Sequence, residues 1–260
     1  MMNLNQITDF FPIYMKEKPG MIKYMYKEYI QVLILDFISS SKWAKRLDFI
    51  GGTNLRLIKA IDRFSEDLDF DCKNFSQEDF WEFSADVINY LNKTGFTTEA
   101  KEKESSRINA YRKSIYFPEL LFNLGLSKHK DERFLIKLEC QDQGYLYKPQ
   151  TAKVKGFGFY FNVRQPGDDV LCSMKINALI NRKKGRDFYD VMFLLSRTMP
   201  DFGYLEYKLG IKDLKTLKEE LIKVFDSVKI ENKMKDFEHL VFDIKNCKRI
   251  QDFKIFVKTL

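Results

Sequence analysis

Thiol and imidazole chemistry is scarce in this chain, which carries four cysteines and two histidines among 260 residues. Cys72, Cys140, Cys172 and Cys247 form no Cys-x-x-Cys pair, and only His129 and His239 could join them around zinc. That spacing argues against a zinc site, and the thiols are expected to be reduced, as in a cytoplasmic protein. Neither histidine has a sequence neighbour suited to catalysis. No apolar run approaches the ~20 residues of a membrane helix. The nearest, Tyr29 to Ile38, is broken by Gln31 and Asp36. The opening Met-Met-Asn-Leu-Asn-Gln has no basic segment leading into an apolar one, so no signal peptide is expected. Internal repeats, low-complexity segments and a helix-turn-helix signature are also missing. A membrane partner and sequence-specific DNA binding are therefore not expected.

What is present describes a globular chain. Hydrophobic residues make up 45% and charged residues 31%, enough for a substantial core, and 24 phenylalanines make that core rich in rings. A net charge of +7 favours partners that carry phosphate, though only weakly.

The hydrophobic periodicity divides the chain in two. Up to about residue 165 the pattern is mixed α/β. Pro19-Gly20 opens a long helix through Ile38 whose apolar positions cover most of its circumference. Leu47 to Ile50 reads as a short strand, Thr53 to Asp62 as a helix, and Phe64 to Cys72 as a strand. Ser76-Gln-Glu-Asp79 is a capping pattern for a helix that ends near Gly95. Strands are expected over Phe96–Ala100, Ser114–Phe117, Phe134–Gln141 and Phe157–Val163. The charged run Lys101 to Arg107 reads as a solvated turn, and Asn123 to Arg133 as a loop. From 166 to 260 only helices are expected: one capped by Asp168 or Asp169 and running to Asn181, then Asp187–Ser196, Lys212–Ser227, Glu231–Ile244 and Arg249–Thr259. The expected fold is thus an α/β (α+β) core with a mixed sheet over residues 1–165 and a helical C-terminal lobe over 166–260.

Chemistry concentrates between Ile50 and Asp71. Alternate strand residues project to one side about 6.6 Å apart at ~3.3 Å per residue. Asp67 and Asp69 could therefore share a Mg²⁺ ion, which takes hard oxygen ligands and substrate phosphates. A two-metal site would want a further carboxylate from a neighbouring strand, and Glu139 faces the polar side of its own. The plain alternative is a solvated acidic strand face, although like charges in a row are costly without a cation. Upstream, Gly51-Gly52 lets the backbone approach a phosphate, the following helix offers free N–H groups, and Thr53 could add a hydroxyl. A simple strand-to-helix turn is the alternative. Arg182-Lys-Lys-Gly-Arg186 could hold a triphosphate or an RNA backbone, or could complete a helix C-terminus.

Gly51-Gly52-Thr53 followed by Arg63-x-Ser65-x-Asp67-x-Asp69 resembles the AbiEii-type nucleotidyltransferase toxins, within the polymerase-β-like superfamily. Ser173-Met-Lys175-Ile-Asn-Ala178 and then Arg186-Asp187-Phe-Tyr189-Asp190 resemble that family's second signature. Ser173-Met174-Lys175 departs from the usual Glu-Lys pair but keeps the lysine. The resemblance implies a Mg²⁺-dependent transfer of a nucleoside monophosphate from an NTP to an acceptor, tRNA being the first choice. The biological role implied is the toxin of a toxin–antitoxin or phage-defence system, with a separately encoded antitoxin.

It also implies roles for individual residues. Gly51, Gly52 and Thr53 would hold the triphosphate, with Ser65 contacting a phosphate or orienting Asp67. Asp67 and Asp69 would bind metal, with Glu139 as the nearest equivalent of a third acid. Lys175 and Arg186 would neutralise phosphate charge. Asp187 or Asp190 would orient Lys175, bind metal or activate the acceptor; otherwise Asp187 is a helix cap and Asp190 an i,i+4 partner of Arg186. Two other functions fit the same residues: a nucleotide- or RNA-binding protein of this fold without turnover, and a transferase that modifies a protein hydroxyl.

Overall fold

The computed structural model describes residues 2–102 and 110–260. They pack as two compact units. The first comprises Met1–Ala60, Phe64–Gly144 and Pro149–Gln165; the second comprises Ile61–Arg63, Tyr145–Lys148 and Pro166–Leu260.

The first unit opens with two short helices, α1 (Leu4–Thr8) and α2 (Ile13–Lys16), and the long α3 (Pro19–Ser40). α3 is buried on nearly every side, as its all-round apolar pattern requires. Its three buried polar residues are committed to the segment that carries the acidic motif. Lys27 Nζ lies 3.2 Å from Glu66, Glu28 takes Arg56 at 2.8 and 3.1 Å, and the Gln31 amide donates to the Ser65 carbonyl at 3.1 Å. Burying such groups is tolerable only because each finds a partner.

Then follow β1 (Asp48–Ile50), α4 (Gly51–Leu57), β2 (Leu68–Asp71), α5 (Gln77–Lys93), β3 (Glu99–Glu102), β4 (Ala110–Tyr116), α6 (Leu120–Asn123) and β5 (Leu135–Gln141). The strands form one mixed sheet in the order β1-β2-β5-β4-β3, in which only the β2–β5 pairing is parallel. In β5 the alternation holds as expected: Ile136, Leu138 and Cys140 are buried, while Lys137 is exposed. A separate antiparallel hairpin joins β6 (Gln150–Gly156) to β7 (Phe159–Gln165). The expected turn at 101–107 lies largely outside the described residues.

α5 begins where its sequence says it should. The Ser76 hydroxyl accepts from the Asp79 amide and the Asp79 carboxylate from the Ser76 amide, a reciprocal capping box. Arg46 grips the same carboxylate with two bonds of 2.6 Å. The Arg46 bonds, and after them the Ser76 amide, pull the Asp79 pKa from 3.8 down to about 2. Because the folded value lies below the unfolded one, the stabilisation is complete above about pH 4 and is lost as the pH falls toward 2. Asp79→Ala should therefore cost about 1 kcal/mol at neutral pH, and urea titrations from pH 6 to pH 2 should show the gap to wild type closing. A gap that stays constant over that range would refute the assignment.

The second unit contains α7 (Asp168–Arg182), α8 (Gly185–Leu195), α9 (Phe202–Leu209), α10 (Leu214–Asp226), α11 (Ile230–Lys235), a 3-10 stretch (Ile244–Asp252) and α12 (Phe253–Thr259). Its core includes Phe188, stacked edge-on against Phe253 at 5.0 Å, with Phe225 beside both. Gly167 rather than an aspartate sits at the N-cap of α7, and Asp168 and Asp169 occupy its first turn, where the helix dipole favours them.

Several boundaries differ from the sequence expectation, each for a tertiary reason. The helix expected to run to Asp62 stops at Leu57. Asp62 and Arg63 are drawn into the second unit, where the Phe242 amide donates to the Asp62 carbonyl and Arg63 forms an isolated bridge with Val241. The same pairing ends α11 early, at Lys235 instead of Ile244. The strand expected from Phe64 begins only at Leu68, because side chains of Gln31 and Thr53 occupy the Ser65 and Asp67 carbonyls. β6 was not foreseen, since only Ala152 and Val154 supply its apolar face, nor was α9, whose Asp201 cap is its clearest signal.

Candidate nucleotidyl-transfer site

The sequence-predicted residues form two groups. The first lies in the α/β unit. β1 runs directly into α4 through Gly51, whose φ of +81° an L-residue rarely adopts. A Cβ at Gly51 would stand 2.0 Å from Asp69 Oδ2 and 2.7 Å from Asp69 Cβ and Cγ. Asp69 is therefore packed against bare backbone, opposite its strand partner Ile50. Gly51 is needed twice over, for its conformation and for the space it leaves the carboxylate.

Thr53 is fully buried, and its hydroxyl donates to the Asp67 carbonyl at 2.5 Å. Its side chain is thus turned toward the main chain of the acidic segment. The Asn54 amide donates to the Phe49 carbonyl at 2.8 Å and to Gln165 at 2.9 Å, tying the glycine turn to β1 and β7. Ser65 and Gly52 are buried; Asp67 and Asp69 are half-buried. Side chains from α3 and α4 therefore fix the backbone around the two acids.

Across the sheet, Asp69 is the register partner of Glu139, and Glu139 of Arg112. Direct partners share a face. Arg112 grips Glu139 with bonds of 2.7 and 3.0 Å, and its pKa is raised by that bond first, then by Asp69 and Asp67. Lys137 Nζ stands 3.9 Å from Asp67. Glu139 is thus beside Asp69 as the strand order requires, with its carboxylate engaged by Arg112. Among the described residues, no group of three acidic, histidine or cysteine side chains stands close enough to hold a metal. Asp67 and Asp69 offer two hard carboxylates, the second seated against the backbone of Gly51. That donor set suits a magnesium ion completing its shell with substrate phosphate and water. Asp71 is buried, and its carboxylate accepts from the Gln143 amide at 2.9 Å, so it is a structural acid.

The second group lies in the helical unit. Asp190 of α8 accepts from Arg63 Nε and Nη2, each at 2.7 Å, and from Lys175 Nζ of α7 at 2.8 Å. All three side chains are buried. Burial works against the charge on Asp190, but Arg63 and then Lys175 hold its carboxyl below the usual range. Burial lowers the Lys175 pKa, with Asp190 opposing. Asp190 is thus bound to the two cations Arg63 and Lys175, not to Arg186, the residue an i,i+4 pairing would use.

Asp187 is fully buried and takes Arg182 at 2.9 and 2.8 Å and the Lys184 amide at 3.2 Å, as a cap of α8 does. Within the basic run, Lys183 ends α7 in a left-handed conformation and reaches Ser227, while the Gly185 amide donates to both oxygens of Asp236. Arg186 is half-buried.

Arg63 is the residue that sequence reasoning passed over. It stands in the motif before Ser65, but its partner lies 127 positions away. The conversion of Thr53 from ligand candidate to backbone clamp was equally invisible. The Asp62 carboxylate gathers the Tyr189 hydroxyl at 2.6 Å and the Asn246 amide at 2.7 Å, which gives the Tyr189 of the second signature a structural partner.

Comparisons with known proteins bear on the fold and the family. The model of the family described as nucleotidyl transferase AbiEii toxin, type IV TA system, matches residues 33–236. Among solved structures, MenT4, a nucleotidyltransferase toxin from Mycobacterium tuberculosis, superposes with a TM-score of 0.61 at 15% identity, covering 100% of this chain and 91% of that one. JHP933 from Helicobacter pylori gives 0.56 at 16% identity over 91% and 90% of the two chains. A second structure from H. pylori gives 0.58 at 17% identity over 90% and 93%. At such identities these likenesses speak for the fold, a mixed sheet with flanking helices of nucleotidyltransferase type. A search of curated protein sequences returned no match. Among the described residues, no helix is long and apolar enough to cross a membrane. The family match covers most of the chain, and the glycine turn, the acidic strand and the Lys175–Asp190 pair all fall inside it: the chain belongs to the AbiEii nucleotidyltransferase toxin family of type IV toxin–antitoxin systems.

Proposed function

We propose that the chain transfers a nucleoside monophosphate from an NTP to an RNA acceptor, tRNA first, with Asp67 and Asp69 as its magnesium ligands. The observation that carries this reading is the seat of Asp69 against Gly51, in the one space that a side chain at position 51 would fill. A turn built this way fixes where the Asp69 carboxylate sits, one strand position on from Leu68 and two from Asp67. Bound there, Mg²⁺ would offset the charge of the triphosphate and of the transferring phosphoryl group. The chain's own contribution is positioning. Thr53 holds the Asp67 backbone, Asn54 holds the turn, and Arg112 and Lys137 flank the acids with positive charge. On this reading Lys175 supplies phosphate-neutralising charge and Asp190 holds its ammonium, while Asp187 acts as a cap that keeps α8 in place. Glu139 would act beside the metal ligands through its ion pair with Arg112. The antitoxin that the family implies would be encoded separately and would act in the cytoplasm with this chain.

The test is incubation with each labelled NTP, Mg²⁺ and total tRNA. Wild type should move label to RNA and release pyrophosphate, and Asp67→Asn should lower the rate on the order of 10²-fold or more. Transfer to protein alone would replace the acceptor. No transfer to either, or equal transfer by Asp67→Asn, would sink the mechanism.

A further inference from the structure

The basic residues most clearly set apart from the catalytic motifs lie on the β6–β7 hairpin, and we infer that its outer face binds a nucleic-acid backbone. The register pairs Thr151 with Arg164, Lys153 with Asn162, and Lys155 with Tyr160. Alternate residues and direct partners share a face, so these six side chains form one surface. The opposite face turns Val154 and Val163 into the core, which fixes the outward direction of the first set. Neither strand contains an aspartate or glutamate. Lys153 and Lys155 are exposed, and among the described residues no carboxylate pairs with either. Tyr160 is 65% exposed, with the Lys153 ammonium 5.2 Å from its ring centre. Arg164 is matched by Asp48 at 3.0 Å and donates to the Lys45 carbonyl, which leaves the two lysines as the unmatched charges of this face.

The chemistry of this face is specific in kind. Two lysines at alternate positions stand about 6.6 Å apart, close to the separation of successive phosphates along an extended strand. Asn162 and Thr151 add hydrogen-bonding groups for sugar or phosphate oxygens, and a tyrosine ring can stack on an unpaired base. A lipid surface would instead call for apolar side chains to enter it, and this face has none apart from the Tyr160 ring. The inference deepens the proposed function by locating where a nucleic-acid acceptor would be gripped, and it rests on that reading only in taking the acceptor to be a nucleic acid.

The test uses the full chain and fluorescence anisotropy with a labelled single-stranded RNA, the same sequence as single-stranded DNA, an RNA duplex, and vesicles containing phosphatidylserine, each over a range of salt. Lys153→Ala/Lys155→Ala should raise Kd for the RNA about tenfold or more at 0.1 M salt and reduce the slope of log K against log salt by about 1.5, two contacts at ~0.7–0.9 each. Tyr160→Ala should weaken the single strand more than the duplex, and Tyr160→Phe should bind as wild type does. Lys215→Ala/Lys229→Ala, exposed lysines of the helical unit, should change neither value. Binding of the DNA strand as well would identify the backbone alone as what is recognised. The inference is overturned if the hairpin variant keeps both affinity and slope, if the control pair weakens binding equally, or if vesicles bind and RNA does not. Hairpin-dependent RNA binding without nucleotide transfer by wild type would sink the proposed function and leave this surface standing. RNA-directed transfer with unchanged kinetics in the hairpin variant would do the reverse.

Discussion

Gly51→Ala should slow nucleotide transfer on the order of 10²-fold or more while leaving a folded protein. The added methyl would lie 2.0 Å from Asp69 Oδ2, far inside contact distance, and the φ of +81° would itself cost an L-residue roughly 1–2 kcal/mol. The cheapest relief is a shift of the Asp69 carboxylate out of its seat, by about the length of the overlap. Displacements of about 1 Å in a catalytic constellation cost on the order of 10²-fold in rate, so kcat should fall by about that factor or more. Gly20→Ala is the matched control. Its Cβ would meet nothing within 4 Å in the first turn of α3, and it should be neutral or slightly stabilising, by up to about 1 kcal/mol. Initial rates with labelled NTP, alongside thermal melts, decide the matter. A Gly51→Ala enzyme within about twofold of wild type would show that the seat of Asp69 against the turn is immaterial.

The second large effect is expected at Arg63. Arg63→Ala leaves Asp190 buried with a single lysine and removes two of its three hydrogen bonds. Breaking a buried ion pair from one side costs about 3–5 kcal/mol, because the remaining charge stays desolvated. That is a large share of the ~5–15 kcal/mol that holds an ordinary domain together. Arg63→Lys keeps the charge and loses the planar fork, so it should fall between wild type and alanine. Asp190→Asn should be as damaging as Arg63→Ala, since it leaves two buried cations facing a neutral amide. The double variant Arg63→Ala/Asp190→Ala should cost less than the sum of its singles, the mark of a direct coupling. Urea denaturation measures all of these. An Arg63→Ala protein within about 1 kcal/mol of wild type would refute the buried cluster as a stabilising element. Since the Asp190 carboxyl is held below its ordinary value, its contribution should be complete above the ordinary carboxylate range and should fade as the pH drops through its folded value.

These two sites differ in how far each could be read from residue order. Gly51-Gly52, the alternating acids and the alternation of β5 are local patterns, and period-2 and period-3.6 spacing carries their meaning without reference to anything distant. The family signatures likewise depend only on order and spacing, which is why Asp67, Asp69, Lys175 and Asp190 could be named together. Thr53 and Glu139 were named as well, but their partners were not. A hydroxyl beside a glycine turn can face a phosphate or a carbonyl with equal ease, and only the close approach of α4 to the start of β2 points it at the Asp67 backbone. Glu139 needed the strand order to meet Arg112.

Sequence alone settled the chemical character of this protein: a glycine turn, an acidic strand, a lysine helix and an α/β half followed by a helical half. Those features arise from neighbours along the chain, whose spacing fixes which side chains share a face. The structure decided the partnerships. Arg63 with Asp190, Thr53 with the Asp67 carbonyl, the early stop of α4 and the lysine-bearing outer face of the β6–β7 hairpin each join residues separated in the sequence. Their geometry is set by which buried charges and carbonyls must be satisfied once the core has closed.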